Sequence, residues 1–553
     1  MLLSDSSNQG RLSSHVSCDF GGQDAPVGSS LANPALMPAG PLLRFGRLVT
    51  AGYIALALIL IVFFSSFMWF RGQREEVLAL GPALLAVATC AGALISLLFA
   101  VRRTKEGRSR AFWAFLASGT ALLFILQLVI VDGALFYTDW DASILVAATI
   151  DGIAPHADYF SQYPNQLFLL CVFSAIVRLL TDMSYEQIYL ALVIGGCACM
   201  TAATACVAVI ARKLRGDLAG IVAFVLTVLL VGLSPWMLVP YSDSYGVLCP
   251  AAALLLYVVA PKRIPRMLGV AFFGTIGYLI KPTSIFILVA VLVVEVAHAL
   301  RKGKLGASAR FRPLAAAFAA SAIGAAFALA LNAAAITPYQ GQLDQDRSLS
   351  LAHYLMIGLN YESNGRWTEE DYAYSSSFDD PSERSAANIE CWEERLNDLG
   401  PIGVAKLFLR KTLNNYLDGT FWWEGEGLFY REVVGDNQAL KDFFNIGYEK
   451  NWIAGSSQNG TPYFAMAQLV WFVTLLGCIV GILNRKPSNA ECVAYASIFA
   501  VSMFLVVFEC RARYLFLYAP YFTLLATMGW SALGSRLGVR LVVPRKPSGT
   551  HFK

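Results

Sequence analysis

Residues 111–131, AFWAFLASGTALLFILQLVIV, form an apolar run without a charged side chain, and the run leads directly into the acidic stretch 132–141, DGALFYTDWD. A run of this length is sufficient, as a helix, to cross a hydrocarbon core that is roughly 30 Å thick. The whole chain has the same character, because 57% of its 553 residues are hydrophobic and only 14% are charged. This composition excludes a set of soluble domains, a disordered chain and a disulfide scaffold. The sequence therefore predicts a membrane protein.

Other apolar runs of similar character lie on both sides of this one. We predict an all-α polytopic membrane protein with about 12–13 transmembrane helices. The other runs are 49–70, 77–101, 165–181, 186–211, 218–239, 244–260, 267–281, 283–300, 313–336, 463–484, 490–508 and 514–533. Two full crossings between 165 and 211 would place the basic residues 212–215 on the side that such residues avoid. We therefore interpret 165–181 as a half-crossing or a membrane-embedded hairpin arm.

The charge pattern assigns the two sides of the membrane. Lys and Arg favour the cytoplasm, which places there the basic stretches 102–108, 212–215, 262–266, 301–304 and 485–486 and the tail with Arg536, Arg540, Arg545 and Lys546. Residues 337–462 hold 20 of the 38 Asp and Glu residues but only 10 of the 42 Lys and Arg residues. We predict that this stretch is one large extracytoplasmic loop. The segments 132–164, 240–243 and Lys281–Pro282 fall on the same outer side, with a short interfacial helix over 141–150.

These assignments divide the chain into six parts. The first 42 residues are rich in Ser, Gly, Asn, Asp and Pro, which is typical of a disordered tail. The parts are a disordered cytoplasmic tail (1–42), two additional N-terminal transmembrane helices (43–110), a transmembrane core with a catalytic outer loop at 132–164 (111–336), an acidic extracytoplasmic subdomain (337–462), the C-terminal transmembrane helices (463–535) and a basic cytoplasmic tail (536–553).

Asp139 and Asp141 are the candidate catalytic residues. Both lie at the start of the predicted interfacial helix, where the positive end of the helix dipole favours an ionised carboxylate. An ionised carboxylate is what a general base requires. Ordinary capping of a solvated helix would give the same pattern, so that alternative stays open.

Two further outer segments carry candidate substrate contacts. Residues 158–166, DYFSQYPNQ, are a dense string of aromatic, proline and amide residues that contains Tyr159, Tyr163 and Asn165. Residues 234–244, SPWMLVPYSDS, form a polar break between two helices and contain Asp243. Aromatic side chains at a membrane boundary are usually anchors, which is the alternative interpretation of each tyrosine alone.

Cations on the outer side are the candidate phosphate-binding groups. Arg511 and Arg513 lie in FECRARY, residues 508–514, on the side that basic residues avoid. A guanidinium binds phosphate oxygens bidentately, so this pair predicts an anionic partner such as a lipid phosphate. A local pair with Glu509 would neutralise one arginine and hardly both. Lys281 is a third candidate, with snorkelling to lipid headgroups as its alternative.

Several classes of function are excluded by the motifs that the sequence lacks. It contains no GxxxxGK[ST] phosphate loop and no HExxH zinc motif, and its five histidines are scattered. Nothing in it predicts recognition of a nucleic acid.

The order and common sidedness of these motifs resemble the GT-C superfamily of integral-membrane glycosyltransferases. The similar branch contains protein mannosyltransferase-like and lipid-A aminoarabinose transferase-like proteins. Asp139-Trp-Asp141 resembles the acidic motif of the first outer loop, and Tyr159-Phe160-Ser-Gln-Tyr163-Pro164-Asn165 resembles the Tyr-Phe-x-x-Tyr-Pro-Asn string of a bacterial branch. Three more segments are similar to that branch: His353 to Asn360 with Gly365-Arg366-Trp367, Lys411 to Asp418-Gly419-Thr420-Phe421, and Glu509-x-Arg511-x-Arg513-Tyr514. The resemblance covers roughly residues 111–530.

The resemblance implies sugar transfer at the extracytoplasmic face of a bacterial plasma membrane. A carboxylate would deprotonate the acceptor hydroxyl, which attacks the sugar of a polyprenyl-phosphate donor, while Arg511, Arg513 and Lys281 hold the leaving phosphate. The acceptor would be a glycan, a lipid or a protein. The Asp-x-Asp spacing departs from the single Asp or adjacent acidic pair of many relatives, so the base is open between the two, with Asp141 slightly favoured by its spacing to Ala147 and Ala148. Some relatives use a divalent cation and others do not, so Mg²⁺ or Mn²⁺ on Asp139 and Asp141 is also open.

The acidic loop holds many aromatic residues, and for most of them we favour the core of a small helical subdomain. Trp422 after Gly419 is the exception, as a candidate sugar contact. Two other kinds of protein compete with the glycosyltransferase. A flippase or transporter of a lipid-linked sugar would need outward cations but no outer carboxylate, and an O-antigen ligase or polysaccharide polymerase relies on loop arginines, whereas this loop is acidic.

Overall fold

The computed structural model describes residues 33–64, 80–101, 110–179, 183–301, 307–427, 430–447 and 461–542. Over these ranges the chain is an all-α polytopic membrane protein, as predicted. Nine of the described helices are long and apolar enough to cross a membrane, and a bent pair of helices would make a tenth, which is fewer than the 12–13 predicted. Helices suit this setting because each satisfies its own backbone hydrogen bonds, which lipid cannot do.

The elements are numbered here in chain order. The α-helices are α1 (Pro41–Ile59), α2 (Gly81–Val101), α3 (Arg110–Ala134), α4 (Asp141–Asp151), α5 (Ala157–Gln162), α6 (Leu167–Val177), α7 (Tyr185–Arg215), α8 (Asp217–Thr227), α9 (Ser242–Gly246), α10 (Leu248–Val259), α11 (Arg263–Ile280), α12 (Phe286–Arg301), α13 (Ala307–Gln340), α14 (Leu351–Gly358), α15 (Glu369–Ser376), α16 (Pro381–Tyr416), α17 (Gln438–Phe444), α18 (Thr461–Val480), α19 (Asn489–Val507) and α20 (Ala519–Val542). The strands are β1 (Phe136–Thr138) and β2 (Tyr430–Val433). Each predicted apolar run overlaps at least one helix of this list, and residues 65–70, 77–79 and 180–181 of three runs lie outside the described residues.

Residues that the charge pattern assigns to the cytoplasm lie together. The backbone of Pro38 bridges to Ser488, in the loop between α18 and α19. Arg301, at the end of α12, donates to the Pro38 carbonyl at 2.7 Å. The Asn33 side chain donates to the carbonyl of Val258 at 2.8 Å. Four separate helix ends therefore meet on one side, as the predicted topology requires.

Both predicted tails need a correction where the structure describes them. Residues 33–42 are ordered, because Pro34–Leu36 forms a turn of 3₁₀ helix and the Asn489 amide donates to the Pro34 carbonyl at 2.9 Å. At the other end, α20 continues to Val542 instead of ending at 535, and Arg536 donates to the Leu483 carbonyl. Both segments contact the region in which α18 ends and α19 begins. Residues 1–32 and 543–553 and the basic loop residues 102–109 and 302–306 lie outside the described residues.

The bend near Tyr163 agrees with the interpretation of 165–181 as a half-crossing or a hairpin arm. The helical segment Pro164–Val177 meets Ala154–Gln162 at 113°, and its length of about 21 Å is less than a bilayer core of roughly 30 Å. The ring of Tyr185, which begins α7, lies 5.5 Å from the ring of Tyr137 in β1. The start of α7 therefore lies beside β1 in the first outer loop, as expected for a half-crossing or a hairpin arm. Helix α7 then runs to the opposite side, where Arg212–Arg215 satisfies the charge rule.

The first outer loop and the acidic loop are joined directly. β1 and β2 pair antiparallel, with Phe136 opposite Val433 and Tyr137 opposite Glu432. Helix α4 follows β1 and confirms the predicted short helix over 141–150. In the acidic loop, Asp380 caps α16 by accepting from the backbone amides of Ser382 and Glu383. The two loops together form the outer cover of the helix bundle.

Candidate functional site

Asp141 begins α4 and is held by a tyrosine from the next outer break. The hydroxyl of Tyr241 donates to Oδ2 of Asp141 at 3.2 Å. Burial raises the pKa of the Asp141 carboxyl above its usual range, and the guanidinium groups of Arg513 and Arg511 oppose that rise, as does the Tyr241 hydrogen bond. Both arginines are therefore close enough to Asp141 to favour the ionised form of its carboxylate.

Tyr241 is oriented by a residue that sequence reasoning did not select. Nε2 of Gln166 donates to the Tyr241 hydroxyl oxygen at 2.8 Å, which leaves the hydroxyl proton for Asp141. Gln166 is buried and comes directly before α6. Its position as a polar residue at the edge of an apolar run was the available signal, but nothing in the sequence placed it beside residue 241.

Arg513 is enclosed by aromatic rings. Its side chain is 4% exposed, and its guanidinium carbon lies 4.6 Å from the Trp140 ring centroid and 5.4 Å from that of Tyr241. Such cation–π contacts stabilise an arginine without neutralising its charge. Because Trp140 directly precedes Asp141, the structure brings the predicted base and one predicted phosphate ligand into one site.

Arg511 and Glu509 form a local ion pair, the predicted alternative to phosphate binding by Arg511. Nε of Arg511 lies 2.6 Å from Oε1 of Glu509, and the hydroxyl of Tyr514 donates to Oε2 of Glu509 at 3.1 Å. Glu509 thus balances Arg511, while the guanidinium of Arg513 packs on rings. Of the two arginines, Arg513 has the larger electrostatic effect on the Asp141 carboxyl.

Lys281 and Asp243 form a buried ion pair. Both side chains are almost inaccessible, at 4% and 1% exposure, and the Lys281 ammonium also lies 4.5 Å from the centroid of the Tyr514 ring. Tyr514 places the pair next to the arginine site. The carboxylate of Asp243 compensates the charge of Lys281, so both residues have a structural partner in addition to their predicted roles in substrate binding.

We expect Lys281→Met to destabilise the protein more than it weakens donor binding. It leaves the buried Asp243 carboxylate without its ammonium, a loss that typically costs about 3–5 kcal/mol. Thermal unfolding in detergent measures the effect, and adding Asp243→Asn to Lys281→Met is expected to restore most of the stability. Wild-type stability together with reduced donor affinity would instead favour the original phosphate-binding role of Lys281.

The aromatic string after α4 and the acidic loop line the same site. The rings of Tyr159 and Tyr163 lie 5.1 Å apart, and both hydroxyls are within electrostatic reach of Asp141. Tyr354 of α14 is within reach of Glu509 and Asp141. Tyr372 of α15 donates to Oε1 of Gln162 at 2.7 Å. The acidic loop therefore covers the carboxylate and arginines.

The remaining predicted residues are placed differently. Asp139 and Asn165 are exposed. Trp422 belongs to a strained turn after α16, with φ of +61°, and the Arg366 guanidinium lies 4.6 Å from its ring centroid. Asp418 holds that turn by accepting from the Thr420 amide at 2.7 Å. Two consecutive bulky residues with positive φ, Phe421 and Trp422, are unusual and are typical of a functional or tightly held turn.

The metal interpretation depends on Asp139 and Asp141 alone. The described residues contain no group of three or more His, Cys, Asp or Glu side chains that could hold a metal ion. Positive charge next to Asp141 already comes from Arg513 and Arg511. Two guanidinium groups beside the Asp141 carboxylate do not suit the binding of a divalent cation.

Residues 53–533 match a protein family described as conserved hypothetical integral membrane protein. No curated protein and no solved structure matches the chain.

Proposed function

We propose that this chain, which belongs to the family of conserved hypothetical integral membrane proteins, is a glycosyltransferase that uses a polyprenyl-phosphate sugar. The observation that carries the proposal is the placement of Asp141 beside Arg513, under a cover formed by the acidic loop. A base and a phosphate-binding cation in one outer site are the two groups that this reaction needs. The acceptor would be an extracytoplasmic glycan, lipid or protein, and the proposed location is the bacterial plasma membrane.

The proposed step is a single displacement at the anomeric carbon. The acceptor hydroxyl transfers its proton to the Asp141 carboxylate as its oxygen bonds to that carbon. The bond between the anomeric carbon and the phosphate oxygen breaks, and its electron pair leaves with the polyprenyl phosphate. One negative charge develops on the leaving phosphate, next to the guanidinium groups. Fixed positive charge that faces a developing negative charge is an effective means of lowering a reaction barrier.

Polar atoms around Asp141 support an oxygen-rich ligand. The Trp140 indole N–H and the Gln166 carbonyl oxygen are both buried and have no hydrogen-bond partner among the described residues. Buried polar atoms in native proteins are nearly always hydrogen-bonded. A sugar hydroxyl would pair with either atom, and a phosphate oxygen would accept from the indole.

Asp141 is the proposed base in preference to Asp139. Asp141 accepts the Tyr241 hydrogen bond and interacts electrostatically with both arginines, whereas Asp139 is exposed to solvent. A base requires a fixed orientation toward the proton that it removes. The hydrogen bond from Gln166 to Tyr241 and the hydrogen bond from Tyr241 to Asp141 together provide that orientation.

Mass spectrometry of lipid-linked sugars and envelope glycans, with and without this protein, tests the proposed function. Loss of one glycosyl residue together with accumulation of a polyprenyl-phosphate sugar accessible from outside the cell is the expected result. Accumulation of a lipid-linked sugar confined to the inner leaflet would contradict the proposal and favour the flippase.

The Tyr241 hydrogen bond predicts a change in pH dependence. Tyr241→Phe removes a donor to the ionised carboxylate, so the pKa of Asp141 should rise further and the acid limb of transfer activity should move to higher pH. The measurement is the pH profile of kcat/KM. Tyr278→Phe, at an exposed tyrosine of α11, is the matched control and should leave the profile unchanged. An acid limb at the wild-type pH or below would show that Tyr241 does not act on the base.

A further inference from the structure

The acidic loop is fastened to the segment that carries the arginines, residues 507–514, here called the arginine segment. Lys411 of α16 is fully buried. Its ammonium donates to the carbonyl of Phe508 at 2.6 Å and to the carbonyl of Gly358 at 2.8 Å. Gly358 ends α14, and Phe508 lies in the arginine segment. One side chain therefore joins α16, α14 and the arginine segment.

Backbone contacts around Lys411 tighten the same junction. The amide of Cys510 donates to the Gly365 carbonyl at 2.7 Å. A Cβ on Gly358 would lie 2.2 Å from the carbonyl oxygen of Val507, so only glycine permits this approach. Nδ2 of Asn414, on the next turn of α16, lies 3.1 Å from Sγ of Cys510. The arginine segment thus depends on the acidic loop for its backbone position.

The charge of Lys411 strengthens this attachment. Burial lowers the pKa of Lys411 to about 8, and Cys510 and Glu509 act in the opposite direction. The ammonium is therefore mostly charged at neutral pH, and hydrogen bonds from a charged donor are roughly twice as strong as neutral ones. The two carbonyls lie on different elements, so both bonds act across the junction instead of within one helix.

We propose that Lys411 is a positioning residue for donor binding, which fixes the backbone from which Arg511 and Arg513 reach the donor phosphate. The inference rests on the proposed function, because it requires those arginines to bind a phosphate. Lys411 is inaccessible and so does not contact the donor itself. The same attachment holds α14, and with it Tyr354, over Glu509 and Asp141.

The test measures binding of synthetic polyprenyl phosphate to the purified full-length protein. Lys411→Met is expected to weaken binding by about tenfold or more, the usual effect of losing hydrogen bonds from a charged donor. Lys406→Met, at an exposed lysine of the same helix, is the matched control and should bind as the wild type does. Wild-type affinity in Lys411→Met would overturn the proposal.

Coupling to Arg513 separates positioning from general stability. If Lys411 acts through the arginines, Lys411→Met should have little further effect in an Arg513→Gln background, whereas a purely structural role would give additive losses. Additive losses would overturn the proposal. Hydrogen exchange of the arginine segment should also rise in Lys411→Met and not in Lys406→Met.

A second variant perturbs the junction without removing the buried charge. Gly365 has φ of +74°, and a Cβ there would lie 2.8 Å from Nζ of Lys411, so Gly365→Ala should displace the ammonium and weaken binding in the same way. A Cβ on Gly341 would have no heavy atom within 4 Å, so Gly341→Ala is the control for Gly365→Ala. If Lys411→Met fails to fold, wild-type affinity in Gly365→Ala overturns the inference. If the wild-type protein binds no polyprenyl phosphate, the proposed function fails as well.

Discussion

Replacing Asp141 by asparagine should lower the rate of sugar transfer by about 10²–10⁴-fold, the usual contribution of general-base assistance. The substitution keeps the shape of the side chain and its position beside Tyr241 but removes the proton acceptor. Binding of the polyprenyl-phosphate donor should survive, because the arginines are unchanged. The measurement is single-turnover transfer from a saturating synthetic donor, with donor affinity determined separately.

Asp139→Asn is the matched control for this prediction. Asp139 is two residues away and exposed, so its loss should change transfer much less. Equal and complete losses in both variants, together with inhibition by a chelator, would instead support a divalent cation on the two carboxylates. Wild-type transfer in both single variants and in the double variant would show that the site is assigned wrongly.

The second large effect is expected at the arginines. Changing both Arg511 and Arg513 to Gln should weaken the binding of polyprenyl phosphate by about 10²-fold or more, since each charge-assisted contact contributes about 1.5–3 kcal/mol. Arg513→Gln should account for most of the loss, because Arg513 has the larger electrostatic effect at Asp141 and Arg511 is already paired with Glu509. Equilibrium binding to the purified protein measures both.

Two controls make this result specific. Arg431→Gln, at an exposed arginine of β2, should bind the lipid phosphate as the wild type does. Thermal unfolding of the Arg511→Gln and Arg513→Gln variants shows whether the fold persists, since Arg513 also packs on Trp140 and Tyr241. Unchanged affinity in the folded double variant would remove the arginines from the donor site.

The membrane fold was predictable because the signal is local. An apolar run and its flanking charges are sufficient to locate a helix and its direction, and each predicted run overlaps a helix where the structure describes it. The interpretation of 165–181 as a half-crossing or a hairpin arm also came from a local signal, the basic residues after α7. The bend near Tyr163 was not predictable, because its angle depends on how Tyr163 and Gln166 pack against other elements.

The types of residue in the candidate site were predictable from the sequence, but most of the contacts between them were not. The closeness of Asp141 to Arg513 depends on tertiary packing, which no local pattern encodes. Lys281 pairs with Asp243, which lies in another polar break. The sequence therefore indicated phosphate binding or snorkelling for this lysine and did not indicate an ion pair within the protein. The Glu509–Arg511 pair was anticipated because the two residues are two positions apart. Gln166, Tyr241 and Trp140 were seen in motifs, but their roles depend on contacts that only the fold creates.

The most direct test of the central claim is the release of polyprenyl phosphate by the purified protein. Synthetic polyprenyl-phosphate sugars that differ in the sugar are incubated with envelope extract from cells that lack the protein, and the free lipid phosphate and the modified acceptor are quantified by mass spectrometry. We expect the wild-type protein to release lipid phosphate from one class of donor, with matching glycosylation of the acceptor. The rate of release by Asp141→Asn should be lower by at least about 10²-fold. Equal release by the wild type and Asp141→Asn, or movement of an intact lipid-linked sugar across a vesicle membrane without release from any donor, would contradict it.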